Sequence, residues 1–159
     1  MWKIKFFLII ILIATVDLSS KYFVKNTFIK DNNKTEFVII ENLLEIKNLC
    51  NPGISFGIFG DLGHKVLSFA VLIIILALII YAISIRNYLV EFGLIVGGAI
   101  ANLIDRITQT CVYDFIDIHW KNVHFFVFNI ADAAISFGVI LYLIKNLFNK
   151  NAQPDIGIK

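Results

Sequence analysis

Charge is scarce in this chain. Only 16% of its 159 residues are Asp, Glu, Lys or Arg, against about 25% in an ordinary soluble domain. The 14 basic and 12 acidic side chains leave a formal net charge of +2, too small and too scattered for a nucleic-acid partner. From Val66 to Ile85 there is no charge at all. Cysteine is nearly absent too: Cys50 and Cys111 could pair outside the cytoplasm or sit as two small buried thiols, and free thiols are the expectation. The amino-terminal MWKIKFFLIIILIATVDLSSKYF starts basic and turns apolar as a signal peptide does, but it lacks a small-x-small exit before Asp17. It therefore reads as an uncleaved first span.

What is there is apolar. Hydrophobic residues make up 58% of the chain and mean hydropathy is +0.81, so the expected solvent is lipid. Predominantly apolar runs long enough to cross about 30 Å of hydrocarbon predict a bundle of four transmembrane helices, near residues 4–22, 66–85, 88–105 and 126–148. Arg86 and Asn87 make so short a connection that the second and third spans must be antiparallel neighbours. Gly93, Gly97, Gly98, Ala99 and Ala101 let the third approach other helices closely. Residues 25–65 and 107–125 fall on the opposite side from the termini. Within the first of these regions, Phe37 to Ile40 and Leu43 to Leu49 predict a small sheet, with Lys30 to Lys34 as a turn before it. Cations are denser on the side of the termini, which assigns both termini to the cytoplasm. Residues 1–150 then form one membrane-embedded domain, and 151–159 a cytoplasmic tail.

Ionisable groups at a membrane edge are expensive enough to suggest function, and Asp105, Asp114, Asp117 and Asp132 fall between the last two apolar runs. Asp17 has Lys21 one helical turn away, and Asp105 is followed by Arg106, so both acids read as ion-paired anchors. Asp114 and Asp132 have no cation near them in sequence. Brought together at a partly desolvated boundary they would share one proton, leaving one carboxylate to activate water and one acid to protonate a carbonyl oxygen.

Competing chemistries are weaker. Gly53 to Gly57 is a literal G-x-S-x-G around Ser55, but the large α/β sheet that such a serine needs does not fit this chain. Asp114, Asp117, His119 and His124 are metal-ligand types whose spacing matches no zinc pattern, so no metal or other cofactor is expected. A proton relay through Asp17, Asp105 and Asp132 for transport leaves no path across, because all three lie toward one side.

DLSSK at Asp17 to Lys21, NPGISFG from Asn51, GGAIANLIDR from Gly97 to Arg106, VYDFI around Asp114 and FNIADAAI around Asp132 together resemble the lipoprotein signal peptidases (signal peptidase II). These are integral-membrane aspartyl proteases of bacteria. The resemblance runs in order through Phe148 and departs at Ala101, where Gly is usual, and at Phe126, where Pro is frequent. It implies four transmembrane helices with a small extracytoplasmic sheet and a flanking short helix, in the bacterial inner membrane. It also implies Asp114 and Asp132 as catalytic aspartates. Asn51, Gly53, Asn102, Arg106 and Asn129 would line the site or hold the pair and substrate, and Asp17, Lys21 and Asp105 would be structural supports. The implied reaction removes the signal peptide of a diacylglyceryl-prolipoprotein just before its lipidated cysteine. A monomer among membrane lipids is expected, and Asp117 has no assigned role.

Overall fold

A computed structural model describes residues 2–30, 36–53, 60–121 and 123–148. The elements run α1 (Trp2–Lys30), β1 (Glu36–Ile40), β2 (Leu44–Asn51), α2 (Gly60–Ile85), α3 (Leu89–Gln109), β3 (Val112–Trp120), β4 (Val123–Phe128) and α4 (Ile130–Phe148). Three stretches, Trp2–Phe28, Lys65–Ile85 and Ile130–Phe148, are long and apolar enough to cross a membrane. Leu8, Ile11, Ile73, Ile80, Ile140 and Leu147 are among the many large apolar side chains turned outward. A soluble protein does not leave such surface uncovered.

The remaining helix, α3, is the hub. It packs on α1, α2, α4 and β3, and Phe92, Val96 and Leu103 on it join Phe6, Ile10, Ile75, Ala82 and Ile85 in the core. Two adjacent glycines permit this. A Cβ on Gly97 would stand 3.0 Å from the Ile10 carbonyl oxygen of α1, and one on Gly98 would stand 2.5 Å from the Ala131 carbonyl oxygen of α4. Three polar residues of α3 turn inward, with Glu91, Asn102 and Asp105 all buried.

The strands form one antiparallel sheet in the order β1-β2-β3-β4. The predicted strand pair is present as β1 and β2. Phe28 near the end of α1 stacks on Phe37 of β1 with ring centroids 4.7 Å apart, seating the sheet against the helices. Cys50 and Cys111 are joined in a disulfide, Cα atoms 5.6 Å apart, linking β2 to the start of β3. This overturns the expectation of free thiols: the register places Cys50 opposite Tyr113, and no local pattern in the sequence reveals that pairing.

Several boundaries differ from expectation. At 29 residues α1 outlasts its predicted span by eight residues, to Lys30, because no helix breaker intervenes after Lys21. Residues 126–128, taken as the start of the last span, lie on β4. The apolar run HFFVF fits a strand as well as a helix, and pairing with β3 decides it. Much of the connector 107–125 is likewise structured, as the end of α3 and then β3. Among the described residues no short helix flanks the sheet. The turn near Lys30 to Lys34 falls largely, and Ser55 with the tail 151–159 wholly, outside the described residues.

Candidate active site

Asp114 projects from β3, where it is 1% exposed. Its neighbour Asn51 ends β2. Leu49 is the residue opposite Asp114 in the register, so Asn51 reaches Asp114 diagonally on the same face. Its Nδ2 donates to Asp114 Oδ2 at 2.8 Å, while its Oδ1 accepts from the Gly53 N–H at 2.9 Å. Gly53 supplies the left-handed backbone of this turn, φ 70°, where a side chain would also crowd the Arg106 guanidinium at 3.2 Å.

Asp132 enters from the first turn of α4. Asn129 caps that helix: its Oδ1 accepts from the Asp132 N–H at 2.9 Å, and Asp132 Oδ2 accepts from the Asn129 N–H at 3.2 Å. This reciprocal cap moves Asp132 from the expected depth of several residues inside the last helix to its entrance. Asn129 Nδ2 is thereby free to donate to Asp114 Oδ1 at 2.6 Å and to Asn102 Oδ1 at 3.2 Å.

The last amide closes the circuit. Asn102 Oδ1 also accepts from Lys21 Nζ at 3.0 Å, and Asn102 Nδ2 donates to Asp132 Oδ1 at 2.8 Å. Each of the three amides is oriented by a group that can only donate: a backbone N–H for Asn51 and Asn129, an ammonium for Asn102. All three therefore present N–H groups to the two carboxylates. Arg106 lies within electrostatic reach of Asp132 and Asp114.

Behind these amides is a buried ion cluster. Lys21 Nζ contacts Asp17 Oδ2 at 2.6 Å and Asp105 Oδ2 at 2.7 Å. The Asp17 partner is as expected. Asp105, however, pairs with Lys21 and not with its neighbour Arg106, since successive helical residues point in different directions. Asp17 Oδ1 accepts from the Ala131 N–H at 2.8 Å, and Asp105 Oδ2 from the Tyr113 N–H at 3.3 Å. The cluster thus ties α1 and α3 to the start of α4 and to β3, the elements that bear Asp132 and Asp114.

Burial pushes the Asp114 carboxyl above the usual carboxylate range; the charge of Asp132 adds to the rise, and hydrogen bonds from Asn51 and Asn129 oppose it. A carboxyl held this way beside a second carboxylate suits proton exchange with a substrate.

A profile of the family described as Signal peptidase (SPase) II matches residues 9–148. The chain belongs to the signal peptidase II family. Lipoprotein signal peptidases are among its relatives. That of Buchnera aphidicola subsp. Schizaphis graminum is 40% identical, over 89% of this chain and 92% of its own. The one of Blochmanniella pennsylvanica is 34% identical, over 90% and 88%. The fold is similar to a bacterial membrane enzyme solved by the in meso method at 1.9 Å, with TM-score 0.77 and 30% identity over 91% of this chain and 94% of that one. As a signal peptidase II family member the chain is a membrane peptidase.

Within this signal peptidase II fold the remaining acids separate by face. Side chains alternate along a strand, so Asp117 and His119 project from the side of β3 opposite Asp114. They meet Glu45 and His124 there, so the four ligand types weighed in the sequence, Asp114, Asp117, His119 and His124, do not form one cluster. Sequence reasoning missed Glu45 and the bridging role of Lys21. The Asn-x-x-Asp spacing at Asn129 was a legible capping signal; the contact from Lys21 to Asp105 spans 84 positions and had none.

Proposed function

We propose that this chain is an intramembrane aspartyl endopeptidase that removes the signal peptide of diacylglyceryl-prolipoproteins, with Asp114 and Asp132 as the catalytic pair. The observation that carries it is the hydrogen-bonded circuit from Asp114 through Asn129 and Asn102 to Asp132, which joins two carboxylates to which no cation among the described residues is hydrogen-bonded. The pair shares one proton. The ionised member takes a proton from water as the oxygen attacks the scissile carbonyl while the protonated member donates to the carbonyl oxygen; as the C–N bond breaks, the first member passes its new proton to the leaving amine and the tetrahedral hydroxyl returns its proton to the second, restoring the pair. No covalent enzyme intermediate is involved.

In this reading all four helices cross the bilayer. At 21 residues, α3 spans about 31 Å, and its acids stay inside the bundle as intramembrane charges must. The Cys50–Cys111 disulfide supports a sheet on the oxidising, extracytoplasmic side of the bacterial inner membrane, and the denser cations near the termini support their cytoplasmic placement. A precursor anchored by its signal helix and acyl chains would approach laterally through lipid. A circuit that needs no residue from a second copy supports the reading of the enzyme as a monomer.

Asp114→Asn and Asp132→Asn are each expected to abolish cleavage of a lipidated precursor by purified enzyme while leaving expression and thermal unfolding close to wild type. Near-normal turnover in either variant would refute the pair. The transport reading fares poorly because Asp17 and Asp105 are both locked on Lys21.

A further inference from the structure

The sheet face turned away from Asp114 carries a second group of ionisable side chains that the peptidase reading does not use. Glu45 lies directly opposite Asp117 across β2 and β3, and His119 of β3 pairs with His124 of β4. One ligand atom from each of these four residues falls within 4.8 Å of the others. The imidazoles are close and tilted, with centroids 4.8 Å apart. His119 Nε2 is 3.7 Å from Glu45 Oε1, and His124 Nδ1 is 2.7 Å from Asp117 Oδ2.

Lys47 belongs to the same group. Its ammonium stands 2.5 Å from Asp117 Oδ2 and 3.3 Å from Glu45 Oε2, and 3.4 Å from His124 Nδ1. The two carboxylates thus already hold one cation between them.

Lys47 leaves the site unsatisfied. Asp117 is 0% exposed and His119 3%, yet Asp117 Oδ1 and His119 Nδ1 are buried without a hydrogen-bond partner. A buried polar atom left without a partner is costly. Two carboxylates and two imidazoles are the donor set that suits zinc and its neighbours better than magnesium or calcium. Tetrahedral zinc places its donor atoms about 3.3 Å apart, so the observed cluster needs only side-chain rotation. His124, 47% exposed, gives the ion a way in.

We propose that Glu45, Asp117, His119 and His124 form a binding site for a zinc-class divalent metal, separate from the catalytic pair, that ties β2, β3 and β4 together and competes with the Lys47 ammonium. The metal is a structural staple for the sheet that carries Asp114.

Titrating the purified full chain with zinc, by calorimetry and by thermal unfolding, and with cobalt, by visible absorption, tests this. The expected result is saturation at one metal per chain, a cobalt spectrum of tetrahedral intensity, a rise in Tm, and no competition from magnesium. His124→Ala should weaken binding roughly tenfold or more and remove the rise in Tm. Lys47→Met should tighten binding and give a larger zinc-induced rise in Tm than wild type, because the rival cation is gone. Should that variant fail to fold, the comparison of His124→Ala with wild type decides alone. No saturable binding, or binding unchanged by His124→Ala, overturns the proposal.

Discussion

Asn51 shows what a single side chain can do to the chemistry of the pair. Its Oδ1 is held by the Gly53 N–H, so its Nδ2 is committed to Asp114. That bond favours the ionised carboxylate, against burial, which favours the neutral acid. Removing the amide leaves burial less opposed, and the Asp114 carboxyl rises further. In the proposed mechanism activity requires one shared proton, so its alkaline limb reports loss of that proton. For Asn51→Ala the alkaline limb of kcat/KM against pH should move to higher pH, with the maximum reduced roughly tenfold by the loss of a charge-assisted hydrogen bond. Stability follows the same sign. Because the folded carboxyl binds its proton more tightly than the unfolded one, its contribution is present below the usual carboxylate range and is lost as pH rises through the raised value. An alkaline limb unchanged or moved to lower pH would show that Asn51 does not tune Asp114. The sequence singled out Asp114 and Asp132 because neither has a neighbouring cation, and the structure joins the two through Asn129 and Asn102. Asn51 was legible only by resemblance, because a turn amide has no residue-level mark that commits it to a carboxylate 63 positions away.

At the scale of elements the decisive feature is the meeting of α3 with α4. Gly98 lies where α4 begins, and a Cβ there would stand 2.5 Å from the Ala131 carbonyl oxygen and 2.8 Å from Ile135 Cγ1. Backbone cannot rotate aside as a flexible side chain can, so Gly98→Ala must move α4 outward. Asp132 sits one residue beyond Ala131, and its 2.8 Å bond from Asn102 would stretch. The variant should lose about 1–3 kcal/mol of stability and also lose turnover of lipidated precursor by roughly a hundredfold, read from unfolding and activity on the same preparation. Unimpaired turnover would mean that α4 is not held in register by this contact. The helices themselves were visible as long apolar runs, and the glycines as a packing surface. Their ends were not, because hydropathy has no signal for where a helix leaves the bilayer: α1 continues past Lys21 to Lys30, and the apolar Phe125 to Phe128 joins a sheet.

For the molecule as a whole, the Cys50–Cys111 disulfide joins positions 61 apart, and the loop it closes contains the whole of α2 and α3. Closing a loop of that length restricts the unfolded chain by about 4 kcal/mol on entropic grounds. Lipid already confines apolar helices, so that value is a ceiling. The bond also sits next to Asn51 and a short step from Asp114 on β3, and so it couples global stability to the edge of the site. Neither cysteine carries a carboxylate or donates in the circuit. Replacing both by serine should therefore lower Tm by several degrees while leaving kcat/KM at low temperature within about threefold of wild type. The same loss of Tm should follow reduction of the wild-type protein with dithiothreitol, and reductant should have no effect on the double variant. Retention of the full wild-type Tm by the double variant would mean that helix packing around α3 alone holds β2 and β3 in register.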